Sequence, residues 1–195
     1  KNGFIDDVYG WDFAKNGNHP DDNHGHGTHI AGLIHKIAPN AKFMILKYYE
    51  PKINSQDTVR FTIAAFEYAT KMGAQIINYS GGGASRSRDE YGALDDARKK
   101  GILVVAAAGN EGQNSDLKPY NILSISAHNP RREILVTSNY GIKSVDLSAP
   151  GEDIRSTVPG GGYMNMTGTS QATALAAGVA ALTWSQHREI KTPEE

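Results

Sequence analysis

The chain of 195 residues contains no cysteine. That excludes a disulfide framework, a thiolate zinc site and a cysteine nucleophile, and it leaves the compartment undecided. An excess of one charge is missing too: 20 Lys and Arg stand against 21 Asp and Glu, for a formal net charge of -1. No field draws in nucleic acid or an anionic membrane surface, so neither is expected as a partner. No run of about 18 apolar residues occurs, so no membrane span is expected. A basic start followed by an apolar stretch, the mark of a signal peptide, is also absent. The sequence shows no internal repeat, no low-complexity segment and no linker to a second domain. With 39% hydrophobic and 21% charged residues, it has the composition of one ordinary globular domain with a sizeable core.

Glycine is what the chain has in quantity, 21 residues in all. They cluster at 25–32, 81–83, 109–112 and 160–168, where tight turns or close backbone approaches are needed. Between the clusters, helical and strand patterns alternate. Residues 1–25, rich in Asp, Asn, Gly and His, read as surface loop. From His26 the apolar positions Ile30, Leu33, Ile34 and Ile37 fall on one helical face, closed by Pro39 and Asn40. Residues 41–47 (AKFMILK) have strand length. Asp57 and Thr58 start a second helix carrying Phe61, Ala64, Ala65, Tyr68 and Met72, which Gly73 ends. Residues 74–79 (AQIINY) form the next strand, 89–100 a third helix, and 102–108 (ILVVAAA) and 122–127 (ILSISA) two further strands. Residues 170–185 form a long helix of mostly Ala, Leu, Val and Gly, expected to be buried throughout. Strands that are apolar without alternation are buried on both faces. The expected fold is α/β, with a mostly parallel central sheet and helices on both faces.

Three segments carry chemistry. In Asp22–Gly32 (DNHGHGTHIAG), His26 opens a helix. The positive end of the helix dipole favours the neutral imidazole, which a general base needs. In Gly168–Ala172 (GTSQA), Ser170 stands at the mouth of the apolar helix, where the N-terminus favours a developing oxyanion. A helix-capping serine is the plain alternative. In Ala106–Gly112 (AAAGNEG), Asn110 leaves a buried strand; it suits a turn, or it aims an amide donor at an oxyanion.

In this order, HGTHIAG, AAGNEG and GTSQA resemble the motifs of the subtilisin-like serine proteases, the subtilase family. Ile77–Ser80 (INYS) with Gly81–Gly83, Ser148–Gly151 (SAPG), Ile154–Thr157 (IRST) and Asp6–Phe13 (DDVYGWDF) extend the resemblance along nearly the whole chain. It implies a subtilisin-like three-layer fold and a serine endopeptidase acting through an acyl-enzyme on Ser170. His26 would be the general base, and Asn110 with the Ser170 N–H would form the oxyanion hole. Ser80, Gly81 and Gly82 would pair with an extended polypeptide substrate. Ala107, Ala108 and Gly109 would line the opposite wall of the specificity pocket. No cofactor is required, and a location outside the cytoplasm is what the family suggests.

Several departures accompany the resemblance. The family's catalytic aspartate lies before the histidine on an apolar-apolar-Asp-Thr/Ser-Gly strand, and no such segment is present. Asp6, Asp7, Asp12 and Asp22 precede His26, but none follows a buried strand. Residues 1–195 are therefore expected to be a partial subtilase catalytic domain, lacking that strand and the C-terminal end, and nearly inactive alone. A second chain or a missing segment would supply the aspartate. Ala174 stands where the family has Pro. Gly81 replaces a larger aliphatic side chain, which is expected to open the cleft. Residues 114–121 are shorter than usual.

Two other functions remain in view. One is an inactive subtilase-like domain kept for binding. The other is a metallohydrolase built on His24, His26 and His29, although Thr28 stands where the similar metal motif has Asp, and only His35, His128 and His187 follow. Asn2–Asp7 resembles the second half of a calcium loop, so a structural calcium ion stays open beside a plain solvated turn. Tyr9, Trp11 and Phe13 are expected to pack in the core or a loop.

Overall fold

The computed structural model describes residues 2–81, 87–114, 122–187, 189, 190 and 192. Strand β1 (Gly10–Asp12) is followed by helix α1 (His26–Ile37), β2 (Ile45–Lys47), α2 (Ser55–Lys71), β3 (Ile76–Tyr79), α3 (Arg88–Lys99) and β4 (Leu103–Ala107). Then come β5 (Ile122–His128), β6 (Leu147–Pro150), β7 (Ile154–Val158), β8 (Gly162–Met166) and α4 (Thr169–Gln186).

β3, β4, β5 and β6 form one parallel sheet in that order. Neighbouring residues on one strand serve opposite faces, as the pleat requires. Val104 and Ala106 pack with Phe66 of α2 and with Leu94 and Ala97 of α3. Val105 packs on the other face with Ile125, Ala127, Ala172 and Ala177, the last two from α4. Both faces are therefore covered, which is why these strands read as unbroken apolar runs.

Helix caps explain the boundaries. Asn54 accepts from the Asp57 N–H at the start of α2, and Ser87 with Glu90 forms a reciprocal capping box at the start of α3. α4 is buried over its first half, whereas Val179 is 54% exposed. The expectation of a wholly buried helix thus holds only for the half that underlies the sheet. None of the described helices is long and apolar enough to cross a membrane.

The N-terminal 25 residues are not all surface loop. Gly10–Asp12 pairs in parallel with Ile45–Lys47, and Trp11 and Phe13 are buried against Ala65 and Tyr68 of α2. Tyr9 is instead 75% exposed. A strand of three residues, Gly, Trp and Asp, is too short for alternation to reveal it. The β7–β8 hairpin also carries no clean pattern, because most of β8 is exposed.

The β1–β2 pair and the four-stranded sheet are separate among the described residues. Between them lies a cavity of about 750 Å³, walled by β2, β3, α1, α2 and α4 through residues such as Leu46, Ile77, Ile30, Phe66 and Ala177.

Candidate functional site

The groups singled out in sequence gather at the ends where β3 and β4 run out and where α1 and α4 begin. α1 and α4 run side by side in the same direction. Ile30 and Leu33 pack with Ala174, and Gly178 meets Ile34 and Ile37 one turn further on. By the same helical spacing, one turn earlier His26 at the start of α1 corresponds to Ser170 near the start of α4. Gly178 allows this close packing, since a Cβ there would stand 3.0 Å from the Ile37 Cβ.

Ser170 is nearly buried, and its Oγ donates to the Ser80 carbonyl at 2.8 Å. Ser80 Oγ returns a bond to the Ser170 carbonyl at 3.0 Å. This reciprocal pair locks the exit of β3 onto the first turn of α4. Among the described residues no hydrogen bond joins His26 to Ser170. Serine-base contacts are often loose before substrate arrives.

Asn110 follows β4 and is exposed. Its Oδ1 accepts from the Thr169 N–H at 2.9 Å and from the Thr169 hydroxyl at 3.1 Å. A backbone N–H can only donate, so the oxygen must face Thr169, and Nδ2 is left without a partner among the described residues. The amide is thus oriented through its acceptor while its donor stays available beside the α4 N-terminus.

The loop carrying Asn110 is held by Asn139, which sequence reasoning missed. Asn139 is fully buried; its Nδ2 donates to the Ala108 carbonyl and Glu111, and its Oδ1 accepts from the N–H groups of Glu111 and Gln113. Gly109, at φ 108, has no room for a side chain, because a Cβ would stand 2.4 Å from Asn139 Nδ2. Ala107 and Ala108 are buried at the end of β4. No local signal marks Asn139, since an asparagine in a loop reads as a turn former.

His26 is half-buried. Burial lowers its pKa, the imidazoles of His24 and His29 lower it further, and Asp22 opposes them. Burial is therefore the leading cause of the neutral form, rather than the helix dipole alone. Asp22 does not orient the ring. Its Oδ1 accepts from the His24 and Gly25 N–H groups, and its Oδ2 accepts from the Thr28 N–H and hydroxyl, all within 2.7–2.9 Å. Burial pushes this carboxyl up, but those bonds outweigh it and hold the pKa at about 2. Two other upstream acids are also engaged: Asp12 pairs with Lys47 and Asp7 accepts from Tyr68.

The first turn of α1 is tied to the β7–β8 hairpin. Buried His29 places Nε2 at 3.0 Å from both the Ile154 and Met164 carbonyls, so that nitrogen carries the proton. Ser156 Oγ donates to the His29 carbonyl and Thr157 Oγ1 to the Thr28 carbonyl. Gly151 of the SAPG segment serves α4 in the same way, for a Cβ there would meet the Gly168 carbonyl at 2.8 Å.

These contacts separate the three histidines. His29 faces inward onto two carbonyls, whereas the His24 ring stands edge-on to His26 at 6.4 Å between centroids. Among the described residues no group of three or more His, Cys, Asp or Glu side chains is placed to hold a metal ion. In the Asn2–Asp7 turn, Asp7 Oδ2 is taken by the Tyr68 hydroxyl and the Asn2 amide.

Gly81 corrects an expectation. The space beside it is not open: a Cβ would lie 1.6 Å from the Tyr48 hydroxyl. Gly82 and most of the 114–121 stretch lie outside the described residues.

The arrangement is that of an α/β protein with a serine site at the carboxyl ends of a parallel sheet. The chain matches the model of the subtilase family over residues 1–195, and it belongs to that family. It is 36% identical over 194 residues to the thermophilic serine proteinase of Bacillus sp. (strain AK1), covering 93% of this chain and 48% of that protein. It is 35% identical over 195 residues to thermitase of Thermoactinomyces vulgaris, covering 93% and 68%. The cell wall-associated protease of Bacillus subtilis (strain 168) is 38% identical over 197 residues, 95% of this chain and 22% of that one. Among solved structures, a cold adapted subtilisin-like serine proteinase superposes with a TM-score of 0.77 at 29% identity, over 91% of this chain and 67% of that chain. The chain thus spans about half the length of the first of these relatives. Relatives of similar identity also include intracellular serine proteases, so membership in the family does not fix a compartment.

Proposed function

We propose that this chain forms most of the active site of a serine endopeptidase, with His26, Ser170 and Asn110 as its working groups. The observation that carries the reading is the Asn110 amide. Its oxygen is fixed on Thr169, and its unpartnered Nδ2 stands beside the N–H groups that open α4. A carbonyl attacked by Ser170 Oγ would receive its developing negative charge there, from Asn110 Nδ2 and the Ser170 N–H. His26, neutral and half-buried, would take the Ser170 proton and return it to the leaving amine. Release of the amine leaves an acyl ester on Ser170, which water, activated by His26, then hydrolyses.

An extended polypeptide would lie along Ser80, Gly81 and Gly82, with Ala107, Ala108 and Gly109 forming the far wall. The orienting carboxylate would come from a strand entering the gap between β2 and β3, carried by a further segment or a second chain. Support comes from the apolar cavity between those two strand edges, and from the engagement of Asp22, Asp12 and Asp7 elsewhere. For compartment, we propose a role outside the cytoplasm, as for the cell wall-associated relative.

Treatment of the complete protein with a fluorophosphonate tests the reading. Stoichiometric labelling of Ser170, abolished in Ser170→Ala and strongly slowed in His26→Ala, is the expected result. A folded protein that resists labelling and cleaves no peptide would leave a binding domain as the better description.

A further inference from the structure

The chain has seven histidines, and their ring nitrogens are not equally engaged. His29 spends Nε2 on two carbonyls, His128 Nδ1 lies 2.8 Å from the Asn129 carbonyl, and His187 Nδ1 lies 2.8 Å from Glu189. His24 and His26 stand out as a pair. Among the described residues no hydrogen bond engages a ring nitrogen of either one. Only Gly25 separates them, and its φ of 95 bends the chain so that both rings come to one side, with centroids 6.4 Å apart. Tyr49 also packs edge-on against the His24 ring, at 6.2 Å. His26 is half-buried and His24 is exposed.

This spacing suits one shared metal ion. A zinc–imidazole bond of about 2.1 Å puts the ion about 3.2 Å from the ring centre. Two rings on one ion then have centres about 5.2 Å apart at the tetrahedral angle, and about 6.4 Å apart when the bonds are in line. The observed separation lies at the wide end of that range, and the exposed His24 side chain closes it by turning about its own bonds. No carboxylate joins the pair, because each oxygen of Asp22 already accepts two donors. Two imidazoles without a carboxylate favour zinc over the oxygen-seeking magnesium and calcium. Two protein ligands also fall short of the three or four that structural and catalytic zinc sites use. Water fills the other positions, and the ion comes and goes.

We infer that His24 and His26 form an inhibitory zinc site at the entrance to the serine site. Binding exchanges two water ligands of the ion for one nitrogen of each ring, with no bond broken in the protein and no change of oxidation state. The His26 nitrogen that would take the Ser170 proton then holds the ion, so acyl transfer cannot begin. The same ring cannot serve zinc on one side, an orienting acid on the other, and still accept a proton. This inference rests on the endopeptidase reading and adds a means of control to it.

The test uses the complete protein, stripped of metal with a chelator, and zinc chloride as the probe. Zinc should inhibit peptide hydrolysis, excess EDTA should restore it, and magnesium or calcium chloride should have no such effect. In His24→Ala, with rates taken relative to its own zinc-free rate, the zinc concentration for half inhibition should rise at least about tenfold. Loss of a group that merely supports a metal ligand already costs about 10–100-fold in affinity. Calorimetry provides a readout apart from activity: Ser170→Ala should bind zinc at a site that adding His24→Ala removes. Equal inhibition of parent and His24→Ala would place the ion elsewhere and overturn the inference. If the parent is labelled at Ser170 and cleaves peptides regardless of zinc, the inference fails alone. If the metal-free parent is neither labelled nor active, the endopeptidase reading fails and takes this one with it.

Discussion

Asp22→Ala removes the carboxylate that gathers four donors at the entrance to α1: the N–H groups of His24, Gly25 and Thr28 and the Thr28 hydroxyl. The glycine at the helix boundary, Gly25, has no side chain to do this work. The magnitude follows from two routes. A pKa of about 2 against an ordinary 3.8 corresponds to at most about 2.5 kcal/mol. Because much of the carboxylate meets solvent, screening reduces this to about 1 kcal/mol. Loss of a helix N-cap costs about 1 kcal/mol in general, and the two figures describe the same bonds, so they are not added. The expected loss is about 1–1.5 kcal/mol at pH 7. The folded pKa lies below the unfolded value, so this stability is fully present above about pH 4–5 and disappears as pH falls from 3.8 through about 2. Urea unfolding of parent and variant at pH 7, 5, 3.5 and 2.5 should show the difference shrinking only in the last two conditions. Asp22→Asn keeps one acceptor oxygen and should lose less, with little pH dependence. A parent–alanine difference below about 0.3 kcal/mol at pH 7, where a typical cap is worth about 1, or one constant down to pH 2.5, would refute the reasoning.

Asn110→Ala should leave peptide binding nearly intact and lower kcat. In subtilisin, a member of this family, removal of one oxyanion donor lowers turnover by roughly 10²–10³. Steady-state kinetics on the complete protein check it, and an unchanged kcat would remove Asn110 from the mechanism. His24→Ala takes away a neighbouring imidazole that lowers the His26 pKa, so the acid limb of kcat/KM should move to higher pH; a shift to lower pH would contradict the assigned cause. Gly32→Ala would place a methyl group 2.3 Å from Thr157 Oγ1 and 2.5 Å from Ser156 Oγ, both bonded to the first turn of α1. Destabilisation of about 1–3 kcal/mol in thermal unfolding is expected, and a neutral substitution would show that the hairpin yields freely.

Most of the sheet and all of the long helices were legible in the sequence. Each sheet strand from β3 to β5 is a continuous apolar run, and each helix has an apolar face or a clear stop such as Gly73 or Gly101. What escaped detection was short or polar. β1 has three residues, and its burial depends on Trp11 meeting α2, a contact no local pattern contains. The three named site residues were visible because their motifs are dense in glycine. The residues that aim them were not. Asn139 and Asp22 are an asparagine and an aspartate in loops, and each acts on backbone far away or several residues on. Gly81 shows the limit most directly. A glycine in place of a larger residue implies space, yet the space is filled by a side chain from 33 positions earlier, so only the structure reveals that the cleft is not widened.

The same positions bear on how the histidine could be oriented. An imidazole that shuttles a proton needs its second nitrogen held by a fixed acceptor. Asp22 is the nearest carboxylate in sequence, but its oxygens are consumed in closing the turn before α1; releasing one would loosen the helix that positions His26. Asp12 is buried against Lys47, and Asp7 is held by Tyr68. Under the proposed mechanism, an orienting acid would then reach His26 from outside these loops. The gap between β2 and β3 is lined by Ile30 and Ile34, one and two turns along α1 from His26, and a strand lying there would run along that helix. Tyr48 and Tyr79 close one wall of the same gap. A strand seated in it would press on the phenol that fills the space at Gly81, so that completing the base and shaping the substrate edge would depend on one packed contact.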